Sequence, residues 1–142
     1  MIHFNLQNYK GGGILKIQES AENYLETILI LGQRKGNVRS IDIANELEFK
    51  KPSVSVAMKN LRENGYVKVD ENGFITLTES GRLIAETMYE RHLLLSGWLK
   101  ELGVDEKIAE EDACKIEHVL SKESFDAIKK AIASVSSHPE NI

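Results

Sequence analysis

The fold is decided by residues 40–77, which read SIDIANELEFKKPSVSVAMKNLRENGYVKVDENGFITL. Apolar residues at helical spacing follow Ser40, a residue type that favours helix caps. A second helical pattern opens at Pro52, which is favoured in the first helical turn because it has no N–H group to leave unpaired. Two short helices joined by the tight link 48–51 are typical of a helix-turn-helix.

Two short strands are predicted after the second helix. Asn64-Gly65 ends the helix, residues 66–69 form one strand, and residues 74–77 form the other. Between them, Asn72-Gly73 predicts a two-residue hairpin turn. A helix-turn-helix followed by a hairpin is a winged helix, and the alternative is a small α+β subdomain of no particular function.

The outer face of the helix at Pro52 is polar and basic. Residues 50–69 contain five basic residues and one acidic residue, a local charge of +4 in a chain whose formal net charge is −4. A basic patch on an acidic protein indicates one dedicated surface for an anionic partner. The basic residues are Lys50, Lys51, Lys59, Arg62 and Lys68.

The composition is that of a globular protein. The chain has 142 residues, of which 42% are hydrophobic and 28% charged. It contains no apolar run that could span a bilayer, and its first residues lack the pattern of a signal peptide, so we expect a cytoplasmic protein with no membrane partner. One cysteine excludes an intrachain disulfide framework and is typical of a reducing compartment.

Helical patterns flank the winged helix. Upstream, the segment ending in Gly11–Gly13 has no period and is expected to be a flexible arm, and a helix is predicted from a Ser20 cap to Gly32. Downstream, a helix is predicted from Thr78 to Leu102. It is apolar around much of its circumference near its C-terminal end, which indicates a surface that packs against a partner. A last helix, residues 122–133, precedes a polar tail. The predicted fold class is mainly α, as an α+β winged helix followed by an all-helical domain.

Residues 110–121, EEDACKIEHVLS, place a thiol, an imidazole and carboxylates close together on what we predict as one helix. At about 100° per residue, Glu110, Cys114, Glu117 and His118 share one face. Donors of this kind at this spacing can converge on one cation. The alternative is a solvated acidic face with an incidental Cys and His. The opposite, apolar face is formed by Ile108, Ala109, Ala113, Ile116, Val119 and Leu120, with the charged Asp112 among them.

Over residues 18–133, the chain resembles the diphtheria toxin repressor family of iron- and manganese-dependent transcription regulators, in particular its two-domain manganese members. The motifs that carry the resemblance are Cys114-x-x-Glu117-His118-Val-Leu-Ser121, Tyr89-x-Arg91-His92 and Pro52-Ser53-Val54-Ser55. The resemblance implies a flexible arm (1–17), a winged helix-turn-helix DNA-binding domain (18–79) and a helical metal-binding and dimerisation domain (80–142).

The resemblance also implies a set of metal ligands. Glu117, His118 and His92 fall on positions that supply ligands in both the iron and the manganese branch. Cys114 falls where the iron branch has a cysteine and the manganese branch a glutamate. Thiolate favours Fe(II), Co(II) or Zn(II), whereas carboxylates and imidazoles also suit Mn(II).

Three further positions complete this set. Glu26 matches a glutamate ligand of the manganese branch, and Glu110 aligns with an accessory histidine of the iron branch. Asn23 falls where the family uses an aspartate or a methionine, so its neutral amide is a departure from the pattern. The implied cofactor is Fe2+ or Mn2+, with one or two ions per subunit.

The function implied is that of a repressor, not an enzyme, which binds a palindromic DNA operator as a homodimer when metal is bound and takes no small-molecule substrate. The basic residues would contact phosphates, while Val56 could touch thymine methyl groups and Asn60 could address adenine. The remaining residues of the expected DNA-binding face are Pro52, Ser53 and Ser55.

Two other functions remain open at this point. A metallohydrolase could use His92, Cys114 and His118 as ligands and Glu117 as general base. A redox switch could be built on Cys114, although the chain offers no second cysteine to resolve it.

Overall fold

In this computed structural model, the backbone is described for residues 14–136 and the side chains for residues 18–135. The chain divides after Met88 into two compact units. The elements are α1 (Ile14–Lys35), α2 (Ser40–Leu47), α3 (Lys51–Glu63), β1 (Val67–Val69), β2 (Ile75–Leu77), α4 (Glu79–Glu101), α5 (Glu106–Ile116) and α6 (Lys122–Ser136). The predicted, mainly helical fold class is confirmed. Within the described residues, every helix is too short or too polar to pass through a lipid bilayer.

The first unit is the predicted winged helix. α1 contacts α2 and β2, α2 contacts α3, and α3 contacts β1. Each of these elements turns apolar residues inward, so the core lies among the three helices and the hairpin. The fully buried side chains of this core are Leu25, Val38, Ile43, Val54, Leu61 and Val67.

The wing is anchored at its base. β1 and β2 pair antiparallel. The N–H of Ile75 donates to the carbonyl of Val38 at 2.7 Å, which ties β2 to the segment before α2. The Arg39 guanidinium lies 4.5 Å from the centroid of the Phe74 ring, a cation–π contact at the same end of the hairpin. The wing therefore has a fixed position beside the helix-turn-helix.

The hairpin loop has three residues, 71–73, so the predicted two-residue turn at Asn72-Gly73 is one residue too short. Asp70 N–H donates to the Phe74 carbonyl at 3.0 Å, which leaves a three-residue loop. The Asp70 carboxylate accepts from the N–H groups of Asn72 at 2.8 Å and Phe74 at 2.9 Å, and Gly73 takes a φ of 81°. The carboxylate thus stabilises the longer turn, in which Gly73 occupies the left-handed position.

α1 is longer than predicted. Ser20 lies inside the helix, since the apolar pattern continues upstream through Ile17. At the other end, the Gly36 N–H donates to the Gly32 carbonyl at 3.0 Å, and the helix stops only where Gly36 takes a φ of 89°. A single glycine costs a helix interior only about 1 kcal/mol, so Gly32 does not end it. Residues 14–17, expected in the arm, belong to α1, and residues 1–13 lie outside the described part.

The predicted starts of α2 and α3 are each off by one residue. The cap of α2 is Arg39 rather than Ser40, because the Asp42 carboxylate accepts from the Arg39 N–H at 2.8 Å. α3 begins at Lys51, which makes Pro52 its second residue. Proline is accepted there for the reason that favours it at the first position, because early N–H groups have no partner within the helix.

The first turn of α4 packs directly against the wing. A Cβ atom added to Gly81 would lie 2.0 Å from the carbonyl oxygen of Tyr66. No side chain larger than hydrogen fits at this position without moving backbone. Thr78 fixes the same junction, since its hydroxyl donates to the Gly65 carbonyl at 2.7 Å.

We expect Gly81→Ala to lower the free energy of unfolding by about 1 to 3 kcal/mol, the cost of forcing an extra methyl group into a packed site. Gly97→Ala is the matched control in the same helix, because no described atom lies within 4 Å of its added Cβ. That variant should gain up to about 1 kcal/mol from helix propensity. Urea unfolding at one fixed protomer concentration measures the free energy of unfolding of both variants. Equal changes in the two variants would show that Gly81 is not packed as closely against Tyr66 as described.

The second unit contains the C-terminal part of α4 together with α5 and α6. Its buried apolar side chains include Leu95, Ala109, Ala113 and Phe125. The apolar face predicted for residues 108–120 is only partly buried, since Ile108 and Val119 are exposed. The prediction failed at Val119 because α5 ends at Ile116, so that the helical spacing no longer applies beyond it.

α6 continues past its predicted end at residue 133 to Ser136. No glycine or proline interrupts the chain before Pro139, which explains the extension. Phe125 is buried as predicted, whereas Ala131 is exposed. Of the predicted polar tail, residues 137–142 lie outside the described residues.

Candidate metal centre and nucleic-acid face

The predicted continuous helix over residues 110–121 is wrong. α5 ends at Ile116 with Glu117 as its cap residue, and α6 begins at Lys122. The Ser121 hydroxyl accepts from the Ser124 N–H at 3.1 Å and so caps α6. Glu117 and His118 therefore lie at a turn between two helices rather than on one helical face.

Arg91 holds this turn in place. Its guanidinium Nη1 donates to the carbonyl of Glu117 at 3.0 Å and to the carbonyl of Leu120 at 2.7 Å. The guanidinium also lies 5.2 Å from the centroid of the Phe125 ring. A buried arginine thus satisfies two carbonyls of the turn between α5 and α6. Sequence reasoning missed this role, although Arg91 stands in the motif that contains His92.

His92, on α4, lies between two carboxylates. Its Nδ1 is 3.0 Å from Glu117 Oε2, and its Nε2 is 3.1 Å from Glu110 Oε2. α4 supplies the imidazole, α5 supplies Glu110, and the turn supplies Glu117. The three side chains come together because Arg91, one residue before His92, fixes the turn against the same helix.

Glu117 is the most unusual residue of this cluster. Its side chain is 0% exposed, and Oε1 has no hydrogen-bond partner among the described residues. His118 Nε2 lies 3.3 Å from that oxygen, close enough for electrostatic attraction. A buried carboxylate is costly unless positive charge balances it. Carboxylate oxygens and imidazole nitrogens are ligands for divalent transition metals, so the residues fit such a cation.

Glu110 has a different environment. Lys100, two turns after His92 on α4, donates to Glu110 Oε1 at 2.8 Å. The Lys100 ammonium, and after it His92, holds the pKa of Glu110 below its usual value. The same hydrogen bond raises the pKa of Lys100. Sequence reasoning missed Lys100, since no local signal pairs a lysine of α4 with a carboxylate of α5.

Three further candidate ligands are Cys114, Glu26 and Asn23. Cys114 is exposed on α5. Glu26 and Asn23 are one turn apart on α1 in the first unit, where Glu26 is buried and Asn23 half-buried. Within the second unit, close contacts join His92, Glu110, Glu117 and His118 in one cluster.

The candidate nucleic-acid face is the outer side of α3 with its approaches. Val56 is 60% exposed, and Asn60 is half-buried. In the part of the chain that the structure describes, none of the five basic residues forms an ion pair with an acidic side chain. Their charge is thus available to an anionic partner. The exposed residues of this face are Lys50, Lys51, Pro52, Ser53, Ser55, Val56, Lys59, Arg62 and Lys68.

Comparison with known proteins identifies both halves of the chain. Residues 16–73 match the N-terminal DNA binding domain of the iron dependent repressors, and residues 78–141 match their metal binding and dimerisation domain. The chain is 36% identical over 115 residues, 80% of its length and 92% of the relative's, to an uncharacterized HTH-type transcriptional regulator of Methanocaldococcus jannaschii. It is 33% identical over 121 residues, 85% of its length and 87% of the relative's, to the HTH-type transcriptional regulator MntR of Lysinibacillus sphaericus.

Solved structures agree with this assignment. A manganese-dependent transcriptional repressor in complex with manganese matches with a TM-score of 0.72 and 29% identity, over 80% of this chain and 52% of that one. The IdeR protein of T. acidophilum matches with a TM-score of 0.70 and 26% identity, over 79% of this chain and 53% of that one. The chain spans about half the length of these two solved proteins. With a winged helix in its first half, a buried carboxylate–imidazole cluster in its second and a family match to each, this protein belongs to the iron-dependent repressor family of metal-dependent transcriptional regulators, the family of the diphtheria toxin repressor.

Proposed function

We propose that this protein is a repressor that binds a palindromic operator as a homodimer when it is loaded with Fe2+ or Mn2+. The observation that carries the proposal is the buried Glu117 carboxylate between His92 and His118, in a chain that also exposes a basic helix. Its family consists of transcriptional regulators and not enzymes, so a metallohydrolase is not supported. Because its partner would be operator DNA, we place the protein in the cytoplasm.

The residues proposed to hold the ion start from the observed cluster. His92, Glu117 and His118 supply two imidazoles and one carboxylate, and Cys114 and Glu26 are added on the family resemblance. A bound divalent cation supplies the positive charge that balances the buried Glu117 carboxylate. Asn23 would offer an amide oxygen in place of the usual charged or sulfur ligand. The proposal allows one or two ions per subunit and either metal.

For DNA binding, we propose that α3 of each subunit enters the major groove, with the two copies about 34 Å apart, one turn of the double helix. Ser53, Ser55, Val56 and Asn60 would face base edges. The basic residues would contact phosphates and give an affinity that falls as salt is added. We propose that the chain is divided into a DNA-binding domain over residues 18–79 and a metal-binding and dimerisation domain over residues 80–142.

A homodimer is supported by apolar side chains that the second unit leaves exposed. Contact with a second copy would remove such side chains from water, which is favourable. The family match to residues 78–141 describes a dimerisation domain, so a second copy of the chain is the partner we propose. The exposed residues are Leu93, Leu102, Ile108, Val119 and Val135.

The test begins with a duplex selected from a random DNA library in the presence of Mn2+. We expect this duplex to bind about 5- to 150-fold more tightly with Mn2+ than with a chelator, a coupling of about 1 to 3 kcal/mol. Fluorescence anisotropy measures both affinities. Lys59→Ala is the control: it should weaken binding in both states and reduce the salt slope by about 0.9 without changing the metal response. Equal affinity with metal and with chelator would overturn the proposal.

A further inference from the structure

We infer that Lys100 acts as a built-in cation beside His92, so that the cluster takes a single divalent ion and Glu110 orients His92 instead of binding metal. This inference rests on the proposed function and narrows it, since the proposal above leaves the number of ions open. It concerns residues of the second unit alone.

The two carboxylates beside the His92 ring differ in their hydrogen-bond partners and in how their negative charge is balanced. Glu110 uses both oxygens: Oε1 accepts from the Lys100 ammonium at 2.8 Å, and Oε2 lies 3.1 Å from His92 Nε2. Glu117 directs Oε2 toward His92 Nδ1 at 3.0 Å. Its buried Oε1 has no hydrogen-bond partner among the described residues and lies 3.3 Å from Nε2 of His118, itself a proposed ligand. The carboxylate that still lacks a balancing cation is therefore that of Glu117.

An ammonium at hydrogen-bonding distance already balances the charge of Glu110. Lys100 Nζ also lies 3.9 Å from Oε1 of the exposed Glu106, so a second carboxylate adds a weaker attraction. A divalent ion on Glu110 would have to displace this ammonium or lie within a few ångströms of it. Like charges at such distances repel. Lys100 thus blocks a second ion.

Glu110 keeps a role through the imidazole. A histidine that binds metal through one ring nitrogen usually donates its other N–H to an outer carboxylate, which fixes the ring and its tautomer. Glu110 Oε2 is placed to accept from Nε2–H, which leaves the Nδ1 lone pair on the side of Glu117. Glu110 is then a positioning residue for His92.

The number of ions per protomer tests the inference. The full-length protein is titrated with Mn2+ alone, and the electron paramagnetic resonance signal of free Mn2+ gives the stoichiometry. We expect one ion for the natural protein and two for Lys100→Met, with the second bound more weakly. Lys100→Arg, which keeps the charge, should still bind one. Lys122→Met is the matched control, because Lys122 also forms a carboxylate pair in this unit, with Asp126 at 2.9 Å.

The role of Glu110 is tested in the same titration. Glu110→Ala should lower the affinity for the single ion about 10- to 100-fold, as the loss of an outer partner does. Glu110→Gln, whose amide oxygen still accepts from Nε2–H, should recover most of that loss.

The outcomes separate this inference from the proposed function. Two ions in the natural protein, or one ion in Lys100→Met, would overturn the inference and leave a metal-activated repressor standing. Failure of every variant and of the natural protein to bind Mn2+ or Fe2+ would overturn both. Circular dichroism confirms that each variant is folded before it is titrated.

Discussion

Glu117→Gln is expected to abolish most of the stabilisation by metal while leaving the metal-free protein at least as stable as the natural one. Without metal, the substitution removes a fully buried charge and keeps the shape of the side chain. A buried charge that no cation balances is costly, and the amide has nearly the same volume and keeps one acceptor oxygen, so the metal-free variant loses neither packing nor an acceptor. With metal, the variant lacks the carboxylate that the ion would balance, so the ion binds it weakly.

Mass action gives the expected gain in the free energy of unfolding when metal binds. At a Mn2+ concentration 100-fold above its Kd, the natural protein gains about 2.7 kcal/mol of stability. If the loss of Glu117 raises the Kd 100-fold, the same concentration gives the variant less than about 0.5 kcal/mol. Urea unfolding at fixed protomer concentration, with Mn2+ or with chelator, measures both gains.

Glu111→Gln is the matched control for this experiment. Glu111 lies on α5 and is exposed, so its substitution removes the same charge without touching the cluster. It should keep the full gain with Mn2+. A Glu117→Gln protein that gains as much from Mn2+ as the natural protein would show that Glu117 does not bind the ion.

Arg91→Met is expected to lower the free energy of unfolding by about 2 to 5 kcal/mol, because it leaves two carbonyls of the turn without a donor. Those carbonyls, of Glu117 and Leu120, accept from one guanidinium nitrogen at 3.0 and 2.7 Å. The substitution also removes the contact with the Phe125 ring. Since the turn carries Glu117, metal affinity should fall although every proposed ligand is still present.

Two further variants make this test specific. Arg91→Lys keeps the positive charge and one donor group but loses the planar fork, so its stability should be intermediate. Glu90→Gln changes the neighbouring residue, whose exposed pair with Lys129 should contribute less than about 1 kcal/mol. Should Arg91→Met unfold at the same urea concentration as Glu90→Gln, the turn does not depend on Arg91.

The winged helix could be predicted from the sequence because its boundaries are set by local chemistry. Gly65 ends α3 with a φ of 79°, and Gly73 turns the hairpin with a φ of 81°. Proline near the start of α3 and the apolar spacing on its inner face act within a few residues of chain. Signals of this kind are visible without knowledge of what the segment packs against.

The end of α5 could not be predicted in the same way. No glycine or proline stands between Ala109 and Ser121, so the local pattern favours one continuous helix. What ends it is an arginine from α4, more than twenty residues earlier in the chain, which takes up the carbonyl of Glu117. The grouping of His92 with Glu117 follows from this tertiary contact.

The helical projection of residues 110–121 therefore gave a partly correct cluster for an incorrect reason. Glu110 and Glu117 do converge, but on His92 rather than along one face of a single helix. Cys114, which the projection placed between them, is exposed. The ion pair of Lys100 with Glu110 was also out of reach, because nothing in the sequence tells which exposed lysine meets which carboxylate.

The close approach of Gly81 to the Tyr66 carbonyl has a consequence for the DNA binding that we propose. Because the backbones meet here with no room for a side chain, we expect the base of the hairpin and the start of α4 to move together. In the proposed complex, adjustment to grooves of unequal width would then come from the hairpin tip at residues 71–73, or from bending of the nucleic acid itself.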